Sequence, residues 1–159
     1  MRGGAELVHS VDSSAKAIEL TKQNVELNFP GDTRHQAFCE DAFKFLEGIG
    51  SGKTTAYNLI ILDPPAFAKH RGALHNALKG YTRLNQKAFE KIEKGGILFT
   101  FSCSQVVTKD HFRNAVFTAA ALAKRKVRIL HQLHQPADHP INIYHPEGEY
   151  LKGLVLYVE

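Results

Sequence analysis

The sequence predicts an α/β domain built on a mainly parallel sheet, and two observations carry that reading. Short apolar runs alternate with helical stretches along nearly the whole chain, which is the pattern of repeated βα units. Within it, Tyr57-Asn58-Leu59-Ile60-Ile61-Leu62 is an almost continuous apolar run ending in Asp63-Pro64-Pro65. A run of that kind suits a central strand buried on both faces of a parallel sheet. The length of 159 residues suits one domain with a core of its own.

The elements follow in order. Glu6 to Val11 reads as a buried strand that ends at Asp12. Ser13 and Ser14 offer an N-cap to a helix carrying Ala17, Ile18, Leu20, Val25 and Leu27, which Phe29-Pro30-Gly31-Asp32 stops. Arg34 to Phe38 is a second strand and Asp41 to Leu46 a short helix. Gly48 to Thr55 is a loop, followed by the strand of residues 57–62. A helix is expected from about Tyr81 to Ile92, broken by Gly95-Gly96. Ile97 to Phe101 is the next buried strand, and it ends at Ser102-Cys103-Ser104. Lys109 to Ala123 is helical, Lys126 to Leu130 a strand, and Leu154 to Val158 the last strand. No helix separates these last two strands, so antiparallel pairing is expected between them.

Composition narrows the class of function. Hydrophobic residues make up 43% and charged residues 23%, as in a soluble globular domain. No apolar run approaches the roughly 20 residues of a membrane span. Met1 to Glu6 has no apolar signal-peptide region, so a cytoplasmic location is expected. The two cysteines, Cys39 and Cys103, cannot make a zinc cage, and a cytosolic setting argues against a disulfide. The net charge of +4 is compatible with a polyanionic partner but does not demand one.

In open sheets of this type the ligand lies beyond the carboxyl ends of the strands, so the residues there carry the functional argument. Asp12 can accept both hydroxyls of a ribose, since a carboxylate is a bidentate acceptor, or it can cap a helix. Asp41 can accept from an adenine amino group, or cap the short helix after it. Asp63-Pro64-Pro65-Ala66-Phe67 is the most unusual string. Two prolines after a buried strand end its ladder and fix φ, which makes a rigid wall with free carbonyls; an ordinary turn is the bland alternative. Cys103 is a nucleophile if its thiolate is stabilised and a small buried hydrophobe if it is not. Cys39 suits the second role. Gly48-Ile49-Gly50-Ser51-Gly52-Lys53-Thr54 imitates a phosphate-binding loop, but Glu47 stands where a glycine is needed and the loop precedes a strand instead of following one. His131, His134, His139 and His145 have no metal-ligand spacing, so no metal is expected.

Taken together, Asp63-Pro64-Pro65-Ala66-Phe67, Gly80-Tyr81, Gly95-Gly96-Ile97-Leu98, Ser102-Cys103-Ser104, Ala137-Asp138-His139-Pro140 and Pro146-Glu147-Gly148-Glu149-Tyr150-Leu151-Lys152-Gly153 resemble the catalytic domain of the bacterial ribosomal RNA large subunit methyltransferase I family, which makes 5-methylcytosine. The resemblance runs from about Val8 to Val158. It implies a Rossmann-like class I sheet that uses S-adenosyl-L-methionine (SAM), with ribosomal RNA as substrate. Asp12 with Ser13, Asp41 with Ala42, and Asp63 with Pro64 would hold the cofactor. Cys103 would be the nucleophile, assisted by Asp63, and Pro65 and Phe67 would shape the base pocket.

Family members carry a Gly-rich loop after a first strand, and Gly3-Gly4 has no strand before it. The chain therefore reads as the C-terminal part of a methyltransferase catalytic domain, residues 1–159, lacking the first strand of its sheet. Weak SAM binding is expected of this chain alone. The strand edges exposed by that loss favour self-association, so a homodimer is an expected state. Two other readings stay open: a methyltransferase acting on an exocyclic amine or on guanine, and an inactive RNA-binding or dimerising remnant.

Overall fold

A computed structural model describes residues 1–49 and 56–159. They fall into two compact units, Met1–Lys53 and Thr54–Glu159.

The first unit is a two-stranded parallel sheet with two helices. Strand β1 (Val8–Asp12) pairs in register with β2 (His35–Cys39), so that Asp12 lies opposite Cys39. The crossover between them is α1 (Ala15–Asn28), and the Ser14 side chain accepts from the Ala17 amide at 3.3 Å to start it. Only Ile18 of α1 is buried, while Leu20 and Leu27 stand 50% and 81% exposed. The short α2 (Ala42–Gly48) follows, burying Leu46. Of the loop expected over Gly48 to Thr55, Gly48 closes α2, and residues 50–55 lie outside the described residues.

The second unit is a four-stranded sheet with two helices. It comprises β3 (Tyr57–Leu62), α3 (Leu74–Lys91), β4 (Ile92–Ser102), α4 (Lys109–Leu122), β5 (Val127–Leu133) and β6 (Lys152–Val158). The strand order is β3-β4-β6-β5. Strand β3 is parallel to β4, and β6 inserts antiparallel between β4 and β5. The antiparallel pairing expected for the last two strands is therefore present.

Three expectations need correction. Strand β3 is not flanked on both sides within its sheet: β4 is its neighbour, and alternate residues differ in burial. Ile60 and Leu62 are buried, whereas Leu59 and Ile61 are 49% and 61% exposed. Helix α3 starts at Leu74, a full two turns before Tyr81. Leu74, Ala77, Leu78 and Tyr81 supply the i, i+3, i+4, i+7 stripe, and Gly80 within it does not stop the helix. Strand β4 begins at Ile92, and Gly95 and Gly96 lie within it, with Gly95 at φ +84° where a side chain would be strained.

The core of this unit is formed by Tyr81, Leu84, Phe89, Leu98, Phe112 and Val116 with the inner residues of β6, among them Leu156 and Val158. The Tyr81 and Phe112 rings meet edge to face at 5.4 Å. Arg125, in the turn between α4 and β5, clasps backbone rather than acid groups. Its guanidinium donates to the carbonyls of Phe89 at 2.8 Å, Ile92 at 3.0 Å, Glu93 at 3.3 Å and Glu159 at 2.9 Å. The bonds to Phe89 and Ile92 satisfy carbonyls at the end of α3 that have no helical donor. Among the described residues, no helix is long and apolar enough to cross a membrane.

Candidate functional site

The chemistry-bearing residues lie at the carboxyl ends of strands, as the fold class requires. In the first unit these are Asp12 and Asp41. The ladder brings their strand tips side by side, and the Glu40 amide donates to the Asp12 carbonyl at 3.0 Å. Asp12 Oδ1 accepts from the Ser14 amide at 2.7 Å. Asp41 Oδ1 accepts from the amides of Phe43 at 3.0 Å and Lys44 at 3.1 Å, which makes Asp41 the N-cap of α2. The helix-capping alternative is therefore realised for Asp41. Both residues remain exposed, as do Ser13 and Ala42, and the bonds to each carboxylate fall on one oxygen. The second oxygen stays an acceptor suited to hydroxyl or amino donors. Cys39 is exposed and not buried as expected, because it ends β2 at the sheet margin; its thiol donates to the Ser13 carbonyl at 3.7 Å.

The second unit joins the other predicted residues into one constellation. The loop after β3 holds Asp63 and Pro65 exposed and Pro64 half-buried. The loop after β4 holds Cys103, half-buried, between two fully buried serines. Ser104 ties the two loops together: its Oγ donates to the Ala68 carbonyl at 2.6 Å. Ser102 anchors the other side, donating to the Tyr81 hydroxyl at 2.9 Å. Tyr81 is wholly buried, and burial pushes its hydroxyl pKa up, with the hydrogen bond from Ser102 acting the other way.

Phe67 is half-buried with its ring 4.7 Å from that of Tyr81. Gly80 permits this, since a Cβ there would come within 3.0 Å of the Phe67 ring. The Gly80-Tyr81 pair therefore seats the Asp63–Phe67 loop, with glycine making room and tyrosine making the contact.

Three residues of this constellation received no individual role in the sequence reading: Tyr81, Ser104 and Lys152. Lys152 opens β6 opposite Ser102 and is only 7% exposed. Its ammonium donates to the carbonyls of Ser104 and Tyr150. The signal was a lysine at the head of an otherwise apolar strand, where the side chain must find partners or cost several kcal/mol. Among the described residues, no group of three His, Cys, Asp or Glu is placed to hold a metal ion.

Solved structures with the same arrangement of elements include proteins described as methyltransferases. A Streptococcus mutans protein described as SAM-dependent superposes with a TM-score of 0.81 at 23% identity, over 98% of this chain and 39% of that one. A second, described as a methyltransferase and complexed with SAH, gives 0.81 at 24% identity over 98% and 40%. The fold is that of the SAM-dependent methyltransferases. In sequence, the chain is similar to Ribosomal RNA large subunit methyltransferase I of Cronobacter sakazakii, at 40% identity over 158 residues. The protein of that name from Shewanella denitrificans is also 40% identical, and one from Escherichia coli 38%. The match covers 99% of this chain and 40% of the Cronobacter protein. The chain thus spans about 40% of the length of the curated relatives it matches. No family model matches it.

Proposed function

We propose that the chain is the C-terminal part of a methyltransferase catalytic domain, spanning residues 1–159, that transfers a methyl group from SAM to carbon 5 of a cytosine in ribosomal RNA. The observation that carries this is Cys103. It sits at a strand end between two buried serines, tied by Ser104 to the loop that bears Asp63. The similarity to ribosomal RNA large subunit methyltransferases supports the RNA substrate, and a cytoplasmic location would follow from it.

The exposed carboxylates of Asp12 and Asp41 fit the ribose hydroxyls and the adenine amino group of SAM, beside Ser13 and Ala42, and Asp63 and Pro64 would face the methyl donor. When bound, SAM supplies an electrophilic methyl group on a sulfonium. The work of this chain is to make a poor nucleophile attack it. The Cys103 thiolate adds to carbon 6 of the unstacked cytosine, forming a carbon–sulfur bond and giving carbon 5 enamine character. As the thiolate adds, ring nitrogen 3 takes up a proton, and the resulting N–H donates to the Asp63 carboxylate, which steadies the adduct. Once carbon 5 carries the methyl, its proton leaves to a base, and the electron pair expels the Cys103 thiolate. Pro65 and Phe67 line the base side of the loop. The commitment of the Phe67 ring to Tyr81, with Ala66 before it, counts against an exocyclic-amine enzyme, which stacks the target base on an aromatic directly after the prolines.

The test is methyl transfer from labelled SAM to protein-free ribosomal RNA, at saturating cofactor because weak SAM binding is expected of this chain. Label in 5-methylcytosine that falls to background in Cys103→Ala supports the reading. Label in another base, or activity that survives Cys103→Ala, excludes it. RNA binding with no transfer at all points to the inactive module.

A further inference from the structure

Lys152 is a buried ammonium, only 7% exposed, and no salt bridge engages it among the described residues. Its partners are neutral: the carbonyl of Ser104, one residue after Cys103, and the carbonyl of Tyr150 at 2.6 Å. Ladder pairing sets it opposite Ser102, one residue before Cys103. The lysine therefore meets both flanks of the cysteine, one by register and one by hydrogen bond. Two carbonyls satisfy two of its three N–H groups and leave the positive charge itself without a counter-ion.

We propose that Lys152 is the positioning residue of the Cys103 nucleophile, holding the Ser102–Ser104 turn in place and supplying the positive charge that stabilises the thiolate both before attack and on expulsion. This rests on the reading of Cys103 as nucleophile. Burial lowers the pKa of Lys152, and attraction to Cys103 acts the other way, which is the coupling expected of a charge pair. Lys109 acts against that attraction and is itself paired with Glu149 at 2.5 Å. No bond is made or broken by Lys152.

Thiol alkylation tests this without RNA or cofactor. The whole chain is treated with iodoacetamide at neutral pH, and Cys103 and Cys39 are followed separately by peptide mass spectrometry. Cys39 is the more exposed thiol, so access alone makes it the faster. The proposal expects Cys103 to outpace Cys39 in the unmodified chain by about tenfold, since the thiolate is the reacting species. Lys152→Met should remove that advantage with the Cys39 rate unchanged, and Lys152→Arg, which keeps the charge, should retain at least part of it. A Cys103 rate equal to or below that of Cys39 in the unmodified chain overturns the proposal, whether or not the variants fold. So does a folded Lys152→Met chain with an unchanged Cys103 rate. If Cys103 proves hyper-reactive and Lys152-dependent while methyl transfer survives Cys103→Ala, the charge pair stands and the nucleophile reading falls.

Discussion

The two units handle their apolar residues differently. Met1–Lys53 buries three large hydrophobes among its described residues, Ile18, Leu46 and Ile49, around a sheet of only two strands. Thr54–Glu159 buries whole aromatic rings, and its central strands β4 and β6 each have two neighbours. A two-stranded sheet is marginal by itself, whereas four strands with packed helices can hold a core. Asp12 and Asp41, proposed for the ribose and adenine of the cofactor, thus stand on the thinly packed unit, and the proposed nucleophile stands on the densely packed one. A group that forms and breaks a covalent bond must be fixed closely, while carboxylates that accept from a ligand tolerate adjustment.

That contrast can be attacked where it should be strongest. Phe89 is fully buried in α3, and Phe89→Ala should cost about 3–5 kcal/mol. Urea unfolding measures this, and a loss below 1 kcal/mol would mean that the second unit is no better packed than the first. A smaller effect is expected in the first unit from Asp41→Ala, which removes the one acceptor of two amides at the start of α2. Loss of that cap should cost about 1 kcal/mol, seen as faster amide exchange confined to α2. The smallest effect is expected for Leu27→Ala. Leu27 is 81% exposed, so stability should change by less than about 0.5 kcal/mol. A loss of 2 kcal/mol or more would show that this face of α1 is covered in solution.

The sequence was legible where periodicity and position coincide. The alternation of elements, the antiparallel final pair and the strand-end location of Asp12, Asp63 and Cys103 all followed from apolar runs and their stops. The first turns of α3 were missed because Gly72, Asn76 and Gly80 suggest a loop, although the Leu74 to Tyr81 stripe was present. In that helix tertiary packing overrides propensity: Ala77 and Tyr81 are essentially inaccessible. Strand β3 read as doubly buried because composition reports that a strand is apolar, not which neighbours it has. The network around Cys103 was not readable at all. The bond from Ser104 to the Ala68 carbonyl spans 36 residues, and the bond from Lys152 to Ser104 spans 48. No local pattern encodes contacts of that separation.

Arg125 has a consequence for how such a sequence can change over time. It grips four carbonyls and no side chain, so it recognises the path of the chain and is indifferent to which amino acids lie along it. Positions such as Glu93 and Glu159 can drift freely in descent without loosening this clasp. The arginine itself cannot, because lysine, with one nitrogen in place of three, cannot span four acceptors at once. One constrained codon thereby relieves several others of constraint.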